Sequence, residues 1–192
     1  LLGAFYLGPW LRWNGRQAIL FDLPARKFYI FEMTMWPQDF IYLALLLIIL
    51  AVSLFFFTAL AGRLWCGFAC PQTVWTEAFT WIELLVEGDR SKRMKLDKAP
   101  WSFEKIRKKA TKQFLWITLA LITGFSFVGY VVDIHTLAGS LFSLEASSWT
   151  FFWVLFYSFA TYGNAGFMRE QVCKYMCPYA RFQGAMFDRD SL

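Results

Sequence analysis

Charged side chains are scarce in this chain of 192 residues: only 17% are Asp, Glu, Lys or Arg, whereas 58% are hydrophobic and 21% aromatic. Soluble domains usually carry about a quarter charged residues, so this chain has too few charges to cover the surface of an ordinary cytosolic enzyme. A disordered polar chain is excluded as well, because such chains are poor in aromatic and hydrophobic residues. We therefore expect a protein of the lipid bilayer.

Three stretches contain no charged residue at all: Phe40–Gly62, Gln113–Val132 and Ala146–Met168. A helix of about 20 residues crosses the hydrocarbon core of a bilayer, and only a helix satisfies the backbone polar groups of a single segment in lipid. The predicted fold class is therefore an all-α, polytopic membrane helix bundle with three complete transmembrane helices. The apolar residues 1–11 are too short to cross, and we interpret them as the end of a truncated span.

Basic residues are concentrated in one part of the chain. Ten of the 19 Lys and Arg residues lie between Arg90 and Lys112. Because an excess of Lys and Arg marks cytoplasmic loops, the net charge of +5 is interpreted as a topology signal, with no nucleic-acid partner. The predicted single membrane domain has cytoplasmic segments at 63–112 and 169–192, and outer segments at 12–39 and 133–145.

Cysteine is also rare, and all four residues fall into one pattern. Cys66 and Cys70 form a C-x-x-x-C-P motif after the first span, and Cys173 and Cys177 repeat it 107 residues later, after the third span. An amphipathic stretch follows each motif, and we expect it to form an interfacial helix at the cytoplasmic face. This arrangement indicates a duplicated half-site that consists of a span, a motif and an interfacial helix.

Four thiols at one membrane face are candidate metal ligands. Zn²⁺, iron–sulfur clusters and Cu(I) all accept thiolate ligands, and the residues alone leave these three open, beside four cysteines that only pack. A structural disulfide is disfavoured because the cytoplasm is reducing. Basic residues near the motifs would favour thiolate over thiol, although they also fit interfacial anchoring: Arg63, Arg169, Lys174 and Arg181.

Other chemistry-bearing residues are few. Met176 lies inside the second motif and is interpreted as a packing residue, and the single histidine, His135, as an outer-loop residue. No complete span contains a histidine, which excludes bis-histidine haem ligation within the spans. The spans also lack ionisable residues, so they contain no material for a proton relay. No catalytic side chain is assigned.

Three long strings carry a family resemblance: GRLWCGFACPQTVWTEAFTWIE, EGDRSKRMKLDKAPWSFEKI and GNAGFMREQVCKYMCPYARFQGAMFDRD. They closely resemble the cytochrome c oxidase accessory proteins of the CcoG/FixG type, and the resemblance extends over essentially the whole chain. One departure is YVVDIHTL, where the family leads us to expect a proline-containing turn. The departure concerns only the shape of the outer loop.

The resemblance implies a multi-pass protein of the bacterial inner membrane that carries electrons through 4Fe-4S clusters. It also implies reduction of Cu(II) to Cu(I) during assembly of a high-affinity haem–copper oxidase, with copper as substrate or ligand. The implied partners are oxidase-assembly and copper-delivery proteins, and family members continue into a cytoplasmic ferredoxin-like region. The residues that match the family motif are Cys66, Cys70, Cys173 and Cys177, which we predict to be metal ligands.

Two other functions stay open beside that of an oxidoreductase. One is a non-catalytic membrane assembly factor in which the cysteines hold a structural metal. The other is a membrane thiol–disulfide oxidoreductase, which needs a cysteine of low pKa and more often has a C-x-x-C pair. The predicted cytoplasmic position of the cysteines argues against this last function.

Overall fold

A computed structural model describes residues 2–23, 26–36, 38, 40–61, 65–100, 102–143 and 147–181. The chain is mainly helical. Its α-helices are α1 (Leu2–Leu7), α2 (Phe40–Ala61), α3 (Pro71–Glu87), α4 (Arg90–Lys98), α5 (Phe103–Val128), α6 (Ile134–Phe142), α7 (Ser148–Thr161) and α8 (Arg169–Gln171). A 3₁₀ turn occupies Gly8–Trp10, and π-helical segments occupy Trp65–Ala69, Tyr162–Met168 and Val172–Met176.

The segment 12–39, predicted to lie on the outer side, contains strands, so the all-α prediction is wrong for this part of the chain. The strands are β1 (Arg12–Trp13), β2 (Arg16–Gln17), β3 (Ile19–Asp22), β4 (Lys27–Ile30) and β5 (Met33–Met35). They form an antiparallel β1-β2 pair and an antiparallel sheet in the order β3-β4-β5. Asn14 and Gly15 join β1 to β2, both at positive φ, which is the preferred chemistry of a two-residue hairpin turn.

Gln17 fastens these strands to the end of α5. Its buried side-chain amide donates to the carbonyl oxygens of Ile19 and Gly129 at 2.8 and 2.7 Å, and its Oε1 accepts from the backbone N–H of Ile134 at 3.2 Å. The backbone N–H of Phe21 donates to the carbonyl oxygen of Tyr130, in the turn after α5. The strands therefore cover the C-terminal end of α5 and the beginning of α6.

Two helices are long and apolar enough to cross a membrane, α2 and α5. Helix α2 matches the predicted span Phe40–Gly62, and only 6% of its apolar window is buried against the rest of the chain, as expected for a helix that faces lipid. Helix α5 begins ten residues before the predicted span Gln113–Val132, because the helix continues back through the basic segment to Phe103. Mostly helical structure with two candidate spans is thus confirmed.

The third complete span, predicted at Ala146–Met168, is not confirmed. Regular helix in α7 covers only 14 residues and ends at Thr161. The next seven residues wind as a π-helix that contains Gly163 and Gly166, and glycine is a poor former of regular helix. The apolar composition of this stretch gave no indication of the change in winding.

Helix α7 packs antiparallel against α5. Val154, near the start of α7, lies in one hydrophobic cluster with Val128 at the end of α5. Tyr162, just after α7, donates its hydroxyl hydrogen to Gln113 Oε1 at 2.8 Å. The two helices thus form the central pair of the bundle.

Helix α3 packs along α5, a candidate membrane span. The cytoplasmic interfacial position predicted for this helix stays a prediction. Trp75 Nε1 donates to Thr123 Oγ1 at 3.2 Å, and further along α3 the ring of Phe79 lies 5.3 Å from that of Trp116. Residue numbers rise along α3 as they fall along α5, so the helices are antiparallel. This contact buries Phe79 fully and Trp75 partly, as expected for aromatic side chains at a helix–helix contact.

Candidate metal centre

Both cysteine motifs fold into the same local structure. Trp65–Ala69 and Val172–Met176 are five-residue π-helical segments, and their bounds differ by the same 107 residues as the motifs. The N–H of Cys70 donates to the carbonyl of Trp65, and that of Cys177 to the carbonyl of Val172, both at 2.9 Å. The predicted repetition in sequence is therefore also a repetition in backbone structure.

Proline ends each π-helical segment in the same way. Proline disfavours helical dihedrals in the residue before it, and Cys70 and Cys177 are both extended, with ψ of 126° and 109°. Helix resumes at the proline itself, with α3 beginning at Pro71 and a helical stretch at 178–181. Each second cysteine thus stands at a bend between two helical segments.

The first motif lies alongside the second half of α5. Pro71 lines a cavity together with Phe127, whereas the other end of α3 reaches Lys112. The first motif is therefore displaced along α5 from the basic first turns of that helix.

None of the four cysteines forms a disulfide, and all four are half-buried. The pKa of Cys173 is raised, first by burial and then by the charges of Cys70, Cys177 and Glu170. Because charges interact appreciably only over short distances, the effect of Cys70 on the pKa of Cys173 indicates that the two motifs lie near each other. At Cys173 the surroundings thus favour the thiol, contrary to the expectation that neighbouring basic residues favour the thiolate.

The chemistry of the four thiols fits a thiolate-bound metal or cluster, because all four are reduced and lie in or directly after two π-helical segments of equal length. In the part of the chain that the structure describes, no three His, Cys, Asp or Glu side chains are grouped closely enough to hold a metal ion. A complete coordination shell is therefore not pre-arranged. The residues that would hold the group are Cys66, Cys70, Cys173 and Cys177, and this assignment stays a prediction.

Gln72 connects the two motifs through hydrogen bonds. It lies two residues after Cys70, and its Nε2 donates to the backbone carbonyls of Asn164 at 3.0 Å and Arg169 at 3.2 Å. Arg169 precedes Cys173 by four residues. Gln72 is not among the candidate residues that the sequence indicates, and its only signal is a polar residue directly after the Cys-Pro of an apolar segment.

Glu83 anchors a second connection, at the other end of α3. Its side chain is only 8% exposed, and its two oxygens lie 2.6 Å from Arg93 Nη1 and 2.8 Å from Arg169 Nη2. Lys112 Nζ lies 2.9 Å from Glu87 and 3.9 Å from Glu83. Arg169, expected to anchor the chain at the interface, is thus paired with a buried carboxylate, and that pair ties the second motif to α3.

The other residues singled out from the sequence lie apart from these connections. Arg63 falls outside the described residues. Lys174 and Arg181 both contact a tyrosine of the second motif, and Met176 is exposed. His135 belongs to α6, where it contacts a tryptophan ring edge-on, so it is helical although it was interpreted as a loop residue.

Two family models match the chain, and each covers one motif. A model described as "4Fe-4S binding domain" matches residues 43–93, and one described as "4Fe-4S dicluster domain" matches residues 168–192. These matches support an iron–sulfur cluster in a protein with this sequence.

Three curated relatives match the whole chain. Nitrogen fixation protein FixG of Rhizobium meliloti is 44% identical, and 37% of its length is covered. Proteins RdxA and RdxB of Cereibacter sphaeroides are 41% and 43% identical, with 42% and 41% of their lengths covered. The chain thus spans less than half the length of each of these relatives. No solved structure matches it.

Proposed function

We propose, since the chain belongs to the CcoG/FixG type of protein, that it is the membrane module of an iron–sulfur electron-transfer protein that reduces Cu(II) to Cu(I) during assembly of a haem–copper cytochrome c oxidase. The iron–sulfur part is supported by a 4Fe-4S family model at each motif. Copper reduction, oxidase assembly and a place in the bacterial inner membrane with cytoplasmic cysteines follow from the resemblance and from the charge pattern.

The observation that carries the proposal is the contact between the two halves. Gln72 of the first half donates hydrogen bonds to the backbone carbonyls of Asn164 and Arg169 in the second, and the charge of Cys70 contributes to the raised pKa of Cys173. A 4Fe-4S cluster uses four cysteine thiolates and, when bound, supplies one-electron transfer. Each half supplies two thiols, so the connections made by Gln72 and Glu83 would serve to keep the two pairs in register.

The surroundings of Cys173 argue against thiol–disulfide chemistry. Burial raises the pKa of Cys173, so this thiol is protonated near neutral pH and releases its proton when a metal binds. A thiol–disulfide oxidoreductase needs the opposite shift, towards a reactive thiolate. Copper as a substrate fits the same environment, because Cu(I) prefers sulfur ligands and one electron converts Cu(II) into it.

The test is anaerobic purification of the full-length protein, with iron, sulfide, copper and zinc analysis and visible spectroscopy. We expect Cys66→Ser and Cys173→Ser to lose the same amount of iron, about four atoms per chain, because one shared 4Fe-4S cluster needs thiols from both motifs. Cu(II) reduction, followed with a chelator specific for Cu(I), should fall in both variants.

Met176→Leu is the matched control, because Met176 lies in the second motif, is exposed and contributes no thiolate. Its iron content and copper reduction should equal those of the wild type. Zinc in place of iron would contradict electron transfer at this site and support a structural metal in an assembly factor. Equal metal content in the wild type and both cysteine variants would exclude these cysteines as ligands.

A further inference from the structure

A cavity of about 350 Å³ lies among α1, α3, α5 and α7. Its wall is mainly apolar and includes the rings of Phe5, Trp75 and Phe127. Small-molecule sites have volumes of roughly 300 to 1,000 Å³ and apolar walls with a few polar groups. The cavity meets the first motif at Pro71, the residue directly after Cys70.

Two polar side chains on the cavity wall have no hydrogen-bond partner within the part of the chain that the structure describes, the hydroxyl of Tyr157 and the amide of Asn164. The other polar side chains of the wall are engaged: Thr123 with Tyr6, Thr161 with a carbonyl of its own helix, and Gln72 with the backbone of the second half. Tyr157 and Asn164 are both half-buried in the cavity wall, so their side chains are available to donate hydrogen bonds to a ligand that carries polar atoms.

The surroundings of the cavity restrict the class of that ligand. Thr123 and Phe127 belong to the candidate membrane span α5, so a ligand would reach the cavity from lipid. A lipid acyl chain offers nothing to Tyr157 and Asn164. A quinone ring is planar, packs well against aromatic side chains, and carries two carbonyl oxygens that accept hydrogen bonds.

We propose that this cavity binds the ring of a membrane quinone, with the Tyr157 hydroxyl and the Asn164 amide each donating to a ring carbonyl and the tail directed to lipid. This binding goes beyond the proposed function and does not depend on it. It would give an electron-transfer protein a lipid-soluble redox partner beside Cys70.

The test is titration of the full-length protein in detergent with decylubiquinone, followed by quenching of tryptophan fluorescence, to which Trp75 in the wall contributes. We expect saturable binding that weakens about tenfold in Tyr157→Phe and in Asn164→Leu, because each variant loses one hydrogen bond of a buried ligand. Ala160→Phe, which fills the cavity, should abolish binding. Decylbenzene, with the same tail and no ring oxygens, should not compete.

Tyr42→Phe is the matched control, because Tyr42 is an exposed tyrosine of α2 that does not line the cavity; its affinity should be unchanged. Wild-type affinity in both Tyr157→Phe and Asn164→Leu, or equal competition by decylbenzene, would overturn the proposal in favour of an apolar lipid pocket. Iron content is measured in the same samples. If the wild-type protein contains its full iron but does not bind decylubiquinone, only this inference is contradicted. If the wild-type protein binds decylubiquinone but contains no iron, only the proposed function is contradicted.

Discussion

In the part of the chain that the structure describes, Glu83 takes part in most of the ion pairs that connect different elements. It accepts from Arg93 of α4 and from Arg169 at the start of the second half. Glu83→Gln keeps the shape of the side chain and removes its charge, which leaves two arginines beside a neutral group. We expect the free energy of unfolding in detergent, measured by SDS titration, to fall by about 2 to 4 kcal/mol, less than for fully buried pairs because both arginines are partly exposed.

Glu104→Gln is the control for this prediction. Glu104 pairs with Lys108 one turn along α5 at 2.7 Å, but Glu104 is exposed and Lys108 only half-buried. Exposed pairs of this kind contribute little, so no measurable change is expected. An equal loss in the two variants would mean that the burial of Glu83 confers no special role on its ion pairs.

At the level of single residues, the sequence indicates the cysteines but not the residues that connect them. The cysteines form a local pattern that repeats, and such a pattern is visible in a single chain. Glu83 pairs with residues 10 and 86 positions away, and Gln72 bonds to a carbonyl 97 positions away. Contacts between residues so far apart in the sequence produce no periodic pattern. For this reason the sequence alone assigns Arg169 to interfacial anchoring.

The contact between α5 and α7 depends on the absence of a side chain at Gly124. A Cβ atom at this position would clash with Ser158 Oγ and would lie 2.7 Å from the carbonyl oxygen of Val154. Small residues allow such close approach of membrane helices. Gly124→Ala should therefore lower the free energy of unfolding by about 1 to 3 kcal/mol, the usual effect of overpacking, as measured by SDS titration.

Gly139→Ala makes the same substitution in open space. Nothing lies within 4 Å of the Cβ position of Gly139 in α6, and alanine is the better helix former by up to about 1 kcal/mol. We expect unchanged or slightly increased stability here. Destabilisation in Gly139→Ala, or none in Gly124→Ala, would contradict a packing role for Gly124.

The elements of the fold differ in how far composition predicts them. Helix α2 follows from an uninterrupted apolar run, because length and absence of charge are its whole signal. The short strands β1 to β5 contain two to four residues each, too few for an alternating pattern to be recognised. The π-helical segment Tyr162–Met168 has the same apolar character as a regular helix, so only backbone geometry reveals where α7 ends.

At the scale of the whole molecule, the direction of α3 is the main feature that the sequence leaves undetermined. An amphipathic pattern indicates that one face is buried, but an interfacial helix buries it in lipid and α3 buries it against α5. The two cases share one pattern. The contacts of Trp75 and Phe79 show that α3 buries its aromatic face against α5, and they place the first motif alongside that helix.

The sidedness predicted from the charges is testable on the unmodified full-length protein in sealed vesicles. Helix α4 carries exposed basic residues, among them Arg90 and Lys95, and the opposite segment carries exposed Arg12 and Arg26. Because the basic cluster is expected on the cytoplasmic side, trypsin should cut α4 only in inside-out vesicles and the segment with Arg12 only in right-side-out vesicles. Mass spectrometry identifies the cuts.

Detergent-solubilised protein is the control for this experiment, since both segments should then be cut and a resistant fold is excluded as the cause of protection. Cleavage after Arg90 in right-side-out vesicles would reverse the predicted orientation. It would also move the ion pairs of Glu83 to the outer face, because Arg93 of the same helix α4 pairs with Glu83 at 2.6 Å.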